Sequence, residues 1–426
     1  MSKEFEICHF TGIGGAGMAP LAAIMLEKGS RVSGSDPEQN KRCEALARAG
    51  ATIYTKHKKE NVPDNAFVVY SSAISPDNPE LATARERGLT CCRRGEFLAR
   101  FADTCRRTVA VSGSHGKTSI TAMLAWCLSR NFPDTGWLIG GEVAGFPSSR
   151  AGNGDIFITE VDESDGTHTF VHPAVGIVPN VDDDHDWSVG GTEQLMANFR
   201  TFGNNCGKII ALAGSNVQKI FAGKAQIVDP ADSCYDILPD NLIGFQRWNG
   251  ALVLECARHF GIPDSDVLAA LAEFPGVERR LSCRGSAGNA KVIEDYAHHP
   301  AEVAASIAAL RKMTGPDGKL TVIFQPHRYA RLEKYFDRLA AELSGADRVF
   351  IVPVFAAWCE TGNVGSAQLA AACNGKAEFI DSEDWKYVAE YVISSQTFTE
   401  NDILAVIGAG TIGKLPAELI SCRQNL

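Results

Sequence analysis

Three consecutive α/β domains, the outer two Rossmann-like, are the fold this sequence predicts. Apolar strand-like runs alternate with helical patterns from one end of the chain to the other, as parallel sheets covered by helices require. Two of the strand-to-helix turns, at 12–17 and 113–116, are glycine-containing. The 426 residues also exceed the roughly 250–300 that one core accommodates.

The first domain, 1–106, opens with a strand over Phe5–Phe10, a glycine turn and an apolar helix over Met18–Glu27. Further strands are expected at Arg31–Ser33 and Phe67–Tyr70. The second, 107–276, begins with Thr108–Val111, turns through glycines into a helix over Ser119–Ser129, and adds strands at Asp155–Val161 and Val175–Pro179. The third, 277–426, follows Phe274-Pro275-Gly276, a breaker between helix and strand. Its strands are expected at Val292–Glu294, Leu320–Phe324, Arg348–Pro353 and Asp402–Ile407.

Composition narrows the function classes. Hydrophobic content of 45% with 22% charged residues is that of a globular enzyme. A net charge of −10 without any basic run argues against nucleic acid as partner, since phosphate backbones need a basic face. No signal-peptide pattern and no run of roughly 18 apolar residues occurs, so a cytoplasmic protein without a membrane partner, monomeric or homodimeric, is expected. The 13 cysteines are scattered in apolar surroundings without a C-x-x-C pair, which reads as buried thiols rather than a disulfide or zinc framework.

Four motifs carry chemistry. Gly12-Ile13-Gly14-Gly15-Ala16-Gly17 fits G-x-G-x-x-G between strand and helix. Such a turn lets backbone approach a diphosphate at the positive end of a helix. Asp36 ends the second strand, where a ribose-binding carboxylate is expected. In the second domain, Gly113-Ser114-His115-Gly116-Lys117-Thr118-Ser119 joins strand to helix. Its backbone N–H groups can wrap phosphates, with Lys117 on the terminal ones and Thr118 on Mg²⁺. The first glycine of the usual phosphate loop is replaced by Val111.

The third motif is acidic. One strand runs into Glu160, Asp162, Glu163 and Asp165, and the next is followed by Asp182-Asp183-Asp184-His185-Asp186. Mg²⁺ takes one or two protein oxygens plus phosphate oxygens; Glu160 and His185 are the expected metal ligands beside Thr118. The fourth comprises Glu294-Asp295-Tyr296-Ala297-His298-His299-Pro300 and Gln325-Pro326-His327-Arg328-Tyr329-Ala330-Arg331, both after apolar strands. Two arginines three apart suit a carboxylate or phosphate, and His299 before Pro300 also reads as a helix cap.

Together with Ser71-Ser72-Ala73-Ile74 and Asn78-Pro79-Glu80, these segments resemble the Mur ligase family over nearly the whole chain, in its alanine-adding branch. The resemblance implies an ATP- and Mg²⁺-dependent ligase of peptidoglycan precursor synthesis that joins L-alanine, or a similar small amino acid, to UDP-N-acetylmuramate through an acyl phosphate. It implies a central P-loop-type ATPase domain. Gly12, Gly14, Gly15, Gly17, Asp36, Ser71 and Ser72 would hold the UDP-sugar. Gly113, Ser114, His115, Gly116, Lys117, Thr118, Ser119, Asn249, Arg280 and Asp295 would hold ATP. Lys117, Glu160, His185 and His298 would be catalytic, and Tyr296, His298, Arg328 and Arg331 would hold the amino acid. Closure of the third domain over the second would exclude water.

The chain departs from the family pattern in places. Phe245-Gln246-Arg247-Trp248-Asn249 stands where a His-Asn pair and a further Asn are usual, and only Asn249 is retained. The central domain reads as shortened between His185 and Asn249. Ser114 and Ser119 replace threonines, and Asp186-Trp187 replaces a hydrophobic-acidic pair. These changes motivate two alternatives: a relative that binds nucleotide or UDP-sugar with little ligase activity, and a tripeptide-recycling muramate ligase. An NAD-dependent oxidoreductase would account for Gly12–Gly17 and Asp36 but leave Gly113–Thr118 without a purpose.

Overall fold

The computed structural model describes residues 3–153, 155–183, 186–357 and 361–422. The chain divides into two compact units, Met1–Pro239 with Trp248–Pro275 and Asp240–Arg247 with Gly276–Leu426. The first unit holds two of the three sheets and the second holds the third.

The first sheet contains β1 (Ile7–Thr11), β2 (Arg31–Ser35), β3 (Thr52–Tyr54), β4 (Phe67–Tyr70) and β5 (Cys91–Arg93), in the order β3-β2-β1-β4-β5. All its pairings are parallel. The strand order reverses between β1 and β4, and a crevice opens at such a switch point beyond the carboxyl ends of the strands. The glycine turn after β1 and the serines after β4 both lie there. Helix Met18–Glu27 falls where the apolar run predicts and buries Met18, Leu21, Ile24 and Met25, each contributing about 2 kcal/mol of burial. The opening strand begins later than expected, because Lys3–Phe5 forms a 3-10 turn that buries Phe5.

The second sheet contains β6 (Arg107–Val111), β7 (Gly136–Leu138), β8 (Ser149–Arg150), β9 (Ile156–Glu160), β10 (Val175–Val178), β11 (Lys208–Leu212) and β12 (Ala225–Val228). Its order is β12-β11-β10-β6-β9-β7-β8, with only β8 antiparallel. β6 therefore lies between β9 and β10, which sets the loop after β6 between the two acidic strand ends. The two sheets share one core: Phe101 meets Phe157 edge-on with centroids 5.1 Å apart. Polar ties add to this, with Ala151 N–H donating to Glu27 at 2.7 Å and Lys28 donating to the Gly152 carbonyl at 2.6 Å. At Gly95 the approach is so close that a Cβ would stand 1.8 Å from Thr167 Oγ1.

The second unit is built on β13 (Ser282–Ala287), β14 (Ala290–Asp295), β15 (Leu320–Phe324), β16 (Arg348–Ile351), β17 (Ala377–Phe379) and β18 (Ile403–Ile407). The order is β13-β14-β18-β15-β16-β17, a parallel sheet with one antiparallel edge hairpin. Three α/β sheets in succession are the architecture expected. The described cysteines are free thiols, and among the described residues no cluster of three His, Cys, Asp or Glu side chains could hold a metal. No helix among them is long and apolar enough to cross a membrane.

Candidate active site

The glycine turn after β1 is held from two sides. Gly12 adopts φ 82°, and its N–H and that of Ile13 both bond to the Ser35 carbonyl, at 2.8 and 3.2 Å. Asp36 reaches back from the end of β2: one oxygen accepts from the Gly14 N–H at 2.9 Å, the other from the Glu38 N–H at 2.9 Å. A Cβ on Gly14 would lie 2.6 Å from Cys43 Sγ, so packing demands glycine. Ser71 packs beside Gly12, and Ser72 is exposed next to it.

Beneath the turn lies a carboxylate that sequence reasoning left without a role. Glu80 is fully buried and accepts from Thr11 Oγ1 (2.9 Å), Ser35 Oγ (2.6 Å), Asn61 Nδ2 (2.8 Å) and the Lys58 N–H (3.3 Å), with His9 Nε2 at 3.2 Å. Burial by itself would raise its pKa. The hydrogen bonds from His9, Ser35 and Asn61 outweigh burial and bring it down to about 2.

The loop after β6 is braced by the segment that follows β10. Asn180 accepts from the His115 N–H at 2.8 Å and donates to the His115 carbonyl at 3.1 Å. Ser114 Oγ accepts from the Asp182 N–H at 2.8 Å, and His115 Nε2 lies 3.4 Å from Asp182. A Cβ on Gly113 would come within 2.8 Å of the Asn180 carbonyl, while Gly116, at φ 87°, caps helix Lys117–Asn131 in the left-handed region. Asn249 is buried against Gly116, its Nδ2 without a hydrogen-bond partner among the described residues. Ser119 is buried in the first helical turn.

At the helix start, the predicted residues come together. Lys117 Nζ donates to the Gly113 carbonyl and to Glu163 Oε2, both at 2.7 Å. Burial opposes the lysine charge, but Glu163 and Asp162 overcome that and raise its pKa. Thr118 Oγ1 donates to Glu160 Oε2 at 2.8 Å, and the Gly140 N–H donates to the other Glu160 oxygen. Gly140 was not anticipated; a Cβ there would overlap the Glu160 carboxylate, and its only sequence signal is a Gly-Gly pair after β7. The predicted ligand His185 lies outside the described residues.

A cavity of about 140 Å³ joins the two turns: Ala16 and Gly17 line one side, Lys117, Thr118 and Glu160 the other, and Arg94 borders it. Arg94 is a second residue that the sequence did not single out. It opens helix Arg94–Asp103, lies across Gly17, where a Cβ would be 3.0 Å from its Cδ, and pairs with Asp165 at 3.5 Å.

In the second unit, the loops after β14 and β15 bring His298, His327 and Arg331 together. The two histidine rings are 5.4 Å apart, and Arg331 Nη1 lies 2.9 Å from His327 Nδ1. Arg331 is buried, and Arg328 occupies the cap of helix Tyr329–Leu343 at φ 65°. The guanidinium groups of Arg279 and Arg280 both lie over the Tyr296 ring, 4.8 and 5.0 Å from its centroid. Asp295 turns inward, accepting from the Leu281 N–H (2.7 Å), the Ala297 N–H (2.8 Å) and Ser306 Oγ (3.1 Å). It thereby shapes the strained Arg279–Leu281 turn that carries Arg280. His299 caps helix Pro300–Met313, with Glu302 closing a capping box.

Three family models match the chain in order: the Mur ligase family catalytic domain over 7–106, the Mur ligase middle domain over 111–228, and the Mur ligase glutamate ligase domain over 279–410. The chain belongs to the Mur ligase family. This Mur ligase is 33% identical to the UDP-N-acetylmuramate–L-alanine ligase of Aquifex aeolicus, over 99% of this chain and 98% of that protein. It is 32% identical to the enzyme of the same name from Streptomyces avermitilis, over 97% and 96%. Among solved structures, the Thermotoga maritima UDP-N-acetylmuramate–alanine ligase superposes with TM-score 0.78 at 24% identity, covering 97% of this chain and 98% of that one. The Psychrobacter arcticus murein peptide ligase has the same fold, with TM-score 0.63 at 20% identity, over 98% and 99%.

Proposed function

We propose that this Mur ligase forms the amide between L-alanine, or a similarly small amino acid, and the lactyl carboxylate of UDP-N-acetylmuramate at the expense of ATP. The observation that carries the reading is the shared cavity, where the end of the diphosphate-type turn meets Lys117, Thr118 and Glu160. A sugar nucleotide on the Gly12–Gly17 turn would present its acid there, beside a loop shaped for the nucleotide's phosphates.

The carboxylate oxygen attacks the terminal phosphorus of ATP, forming a C–O–P linkage as ADP leaves. The amine then attacks the acyl carbon, and the tetrahedral intermediate collapses to amide and inorganic phosphate. The first step concentrates negative charge, so charge neutralisation and positioning are the main tasks. Lys117 and the loop N–H groups serve the phosphates, with Asn249 behind Gly116. Thr118 and Glu160 offer hard oxygens 2.8 Å apart, a donor set that fits Mg²⁺, which when bound would neutralise phosphate charge. Arg94 is placed to hold an anionic group of the sugar substrate. In our division of labour, 1–106 takes the UDP-sugar, 107–276 the ATP, and 277–426 the amino acid, with His298, Arg328 and Arg331 orienting it and Arg280 assisting the nucleotide.

Phosphate release measured with ATP, UDP-N-acetylmuramate and single amino acids tests this. Release requiring all three, fastest with alanine, is expected. Nucleotide binding without amino-acid-dependent release would replace the reading with that of a silent relative, and faster release with a tripeptide would move the chain to the recycling branch.

A further inference from the structure

The acidic loop after β9 places one carboxylate where the chemistry above gives it nothing to do. Glu163 is fully buried. Its Oε2 is 2.7 Å from Lys117 Nζ, and its Oε1 is buried without a hydrogen-bond partner among the described residues. A carboxylate left half-satisfied in the interior costs stability, and such costs are typically kept at functional sites. Burial raises its pKa, and Lys117 offsets this only in part.

An ammonium has three N–H bonds to give. In Lys117 one goes to the Gly113 carbonyl and one to Glu163. Among the described residues nothing takes the third, which is left for the cavity that Lys117 lines. Two fixed partners on a rotatable –NH₃⁺ settle the direction of the third, so the lysine meets the phosphates already oriented, at little entropic cost.

We propose that Glu163 is a positioning residue for the phosphoryl-transfer step, anchoring Lys117 from behind so that its remaining N–H points at the transferring phosphoryl group. This rests on the reading of Lys117 as the phosphate-loop lysine. Glu163 acts through Lys117, whereas Glu160 is read as acting on the metal beside Thr118.

The test uses the full chain with ATP, UDP-N-acetylmuramate and L-alanine. Glu163→Gln keeps the shape but removes the charge, and should lower kcat about 30-fold, the equivalent of one charge-assisted hydrogen bond, with the KM for UDP-N-acetylmuramate within about twofold. Glu163→Asp keeps the charge but withdraws it by one methylene; it should show the same split at about tenfold, and it decides the matter where the Gln variant does not fold. Affinity for a non-hydrolysable ATP analogue, measured by calorimetry, supplies the readout a structural role would not give. Glu163→Gln should weaken it in the native background and leave it unchanged in Lys117→Met. Equal losses in both backgrounds, or normal kinetics in a folded variant, overturn the inference. Normal turnover in Lys117→Met would instead overturn the phosphate-loop reading itself.

Discussion

The two glycine turns of the first unit follow the same plan, strand to turn to helix, yet their buried carboxylates differ. Glu80, under the first turn, is saturated: two hydroxyls, an amide, a backbone N–H and His9 all face it, and its pKa is drawn down to about 2. Glu163, beside the second, has the lysine as its one side-chain partner among the described residues, and its pKa is raised. A saturated carboxylate braces a backbone and asks nothing more of its surroundings. A half-satisfied one costs stability, and here its charge is balanced by the lysine that it holds. The contrast separates a carboxylate whose surroundings satisfy it from one left with an unused oxygen.

The largest expected effect comes from breaking the second arrangement. Lys117→Ala should lower amide formation about 10³-fold, as loss of a phosphoryl-stabilising donor does, in a phosphate-release assay. It should also cost about 3 kcal/mol in urea unfolding, since Glu163 is left as a buried charge without its partner. A variant as stable as the parent would show that Glu163 is neutral in the fold.

The first turn should respond through stability. Because the Glu80 pKa is lowered from 4.5 to about 2, its contribution is present above pH 4.5 and is lost as pH falls toward 2, a loss of about 3 kcal/mol. Glu80→Gln should flatten that part of the pH–stability profile, followed by urea unfolding at stepped pH. An unchanged slope would mean that the network does not favour the ionised form.

The smallest effect is expected at Asp36, whose carboxylate holds the Gly14 N–H. Asp36→Ala should raise the KM for UDP-N-acetylmuramate about tenfold, the worth of one hydrogen bond to a charged group, with the KM for ATP within about twofold. A larger change in ATP than in the sugar nucleotide would reverse the assignment of the two turns.

Much of this was legible in the sequence, for identifiable reasons. The strands read correctly, such as Leu320–Phe324, are buried on both faces and hence continuous apolar runs. Several that escaped notice are short or polar, since β8 has two residues and β13 reads Ser-Cys-Arg-Gly-Ser-Ala, but the buried, apolar β11 was missed as well. Lys117, Thr118 and Glu160 were found because local order places them at strand ends. Arg94 and Gly140 were not, since each gains its role from a strand or helix distant in sequence, across Gly17 and against Glu160 respectively. Asp295, expected at the nucleotide, has a second task that the sequence did not show, the shaping of a backbone turn.

The close packing of Gly95 on Thr167 lies next to the cavity. Residue 95 adjoins Arg94 at the rim of the cavity, and Thr167 is tied to Asp165 in the loop that also carries Glu163. With no side chain between them, the helix that bears Arg94 cannot settle inward without pushing that loop. Any side chain at 95 would therefore have to displace Thr167, and glycine there keeps the cavity rim and the loop that carries Glu163 in contact.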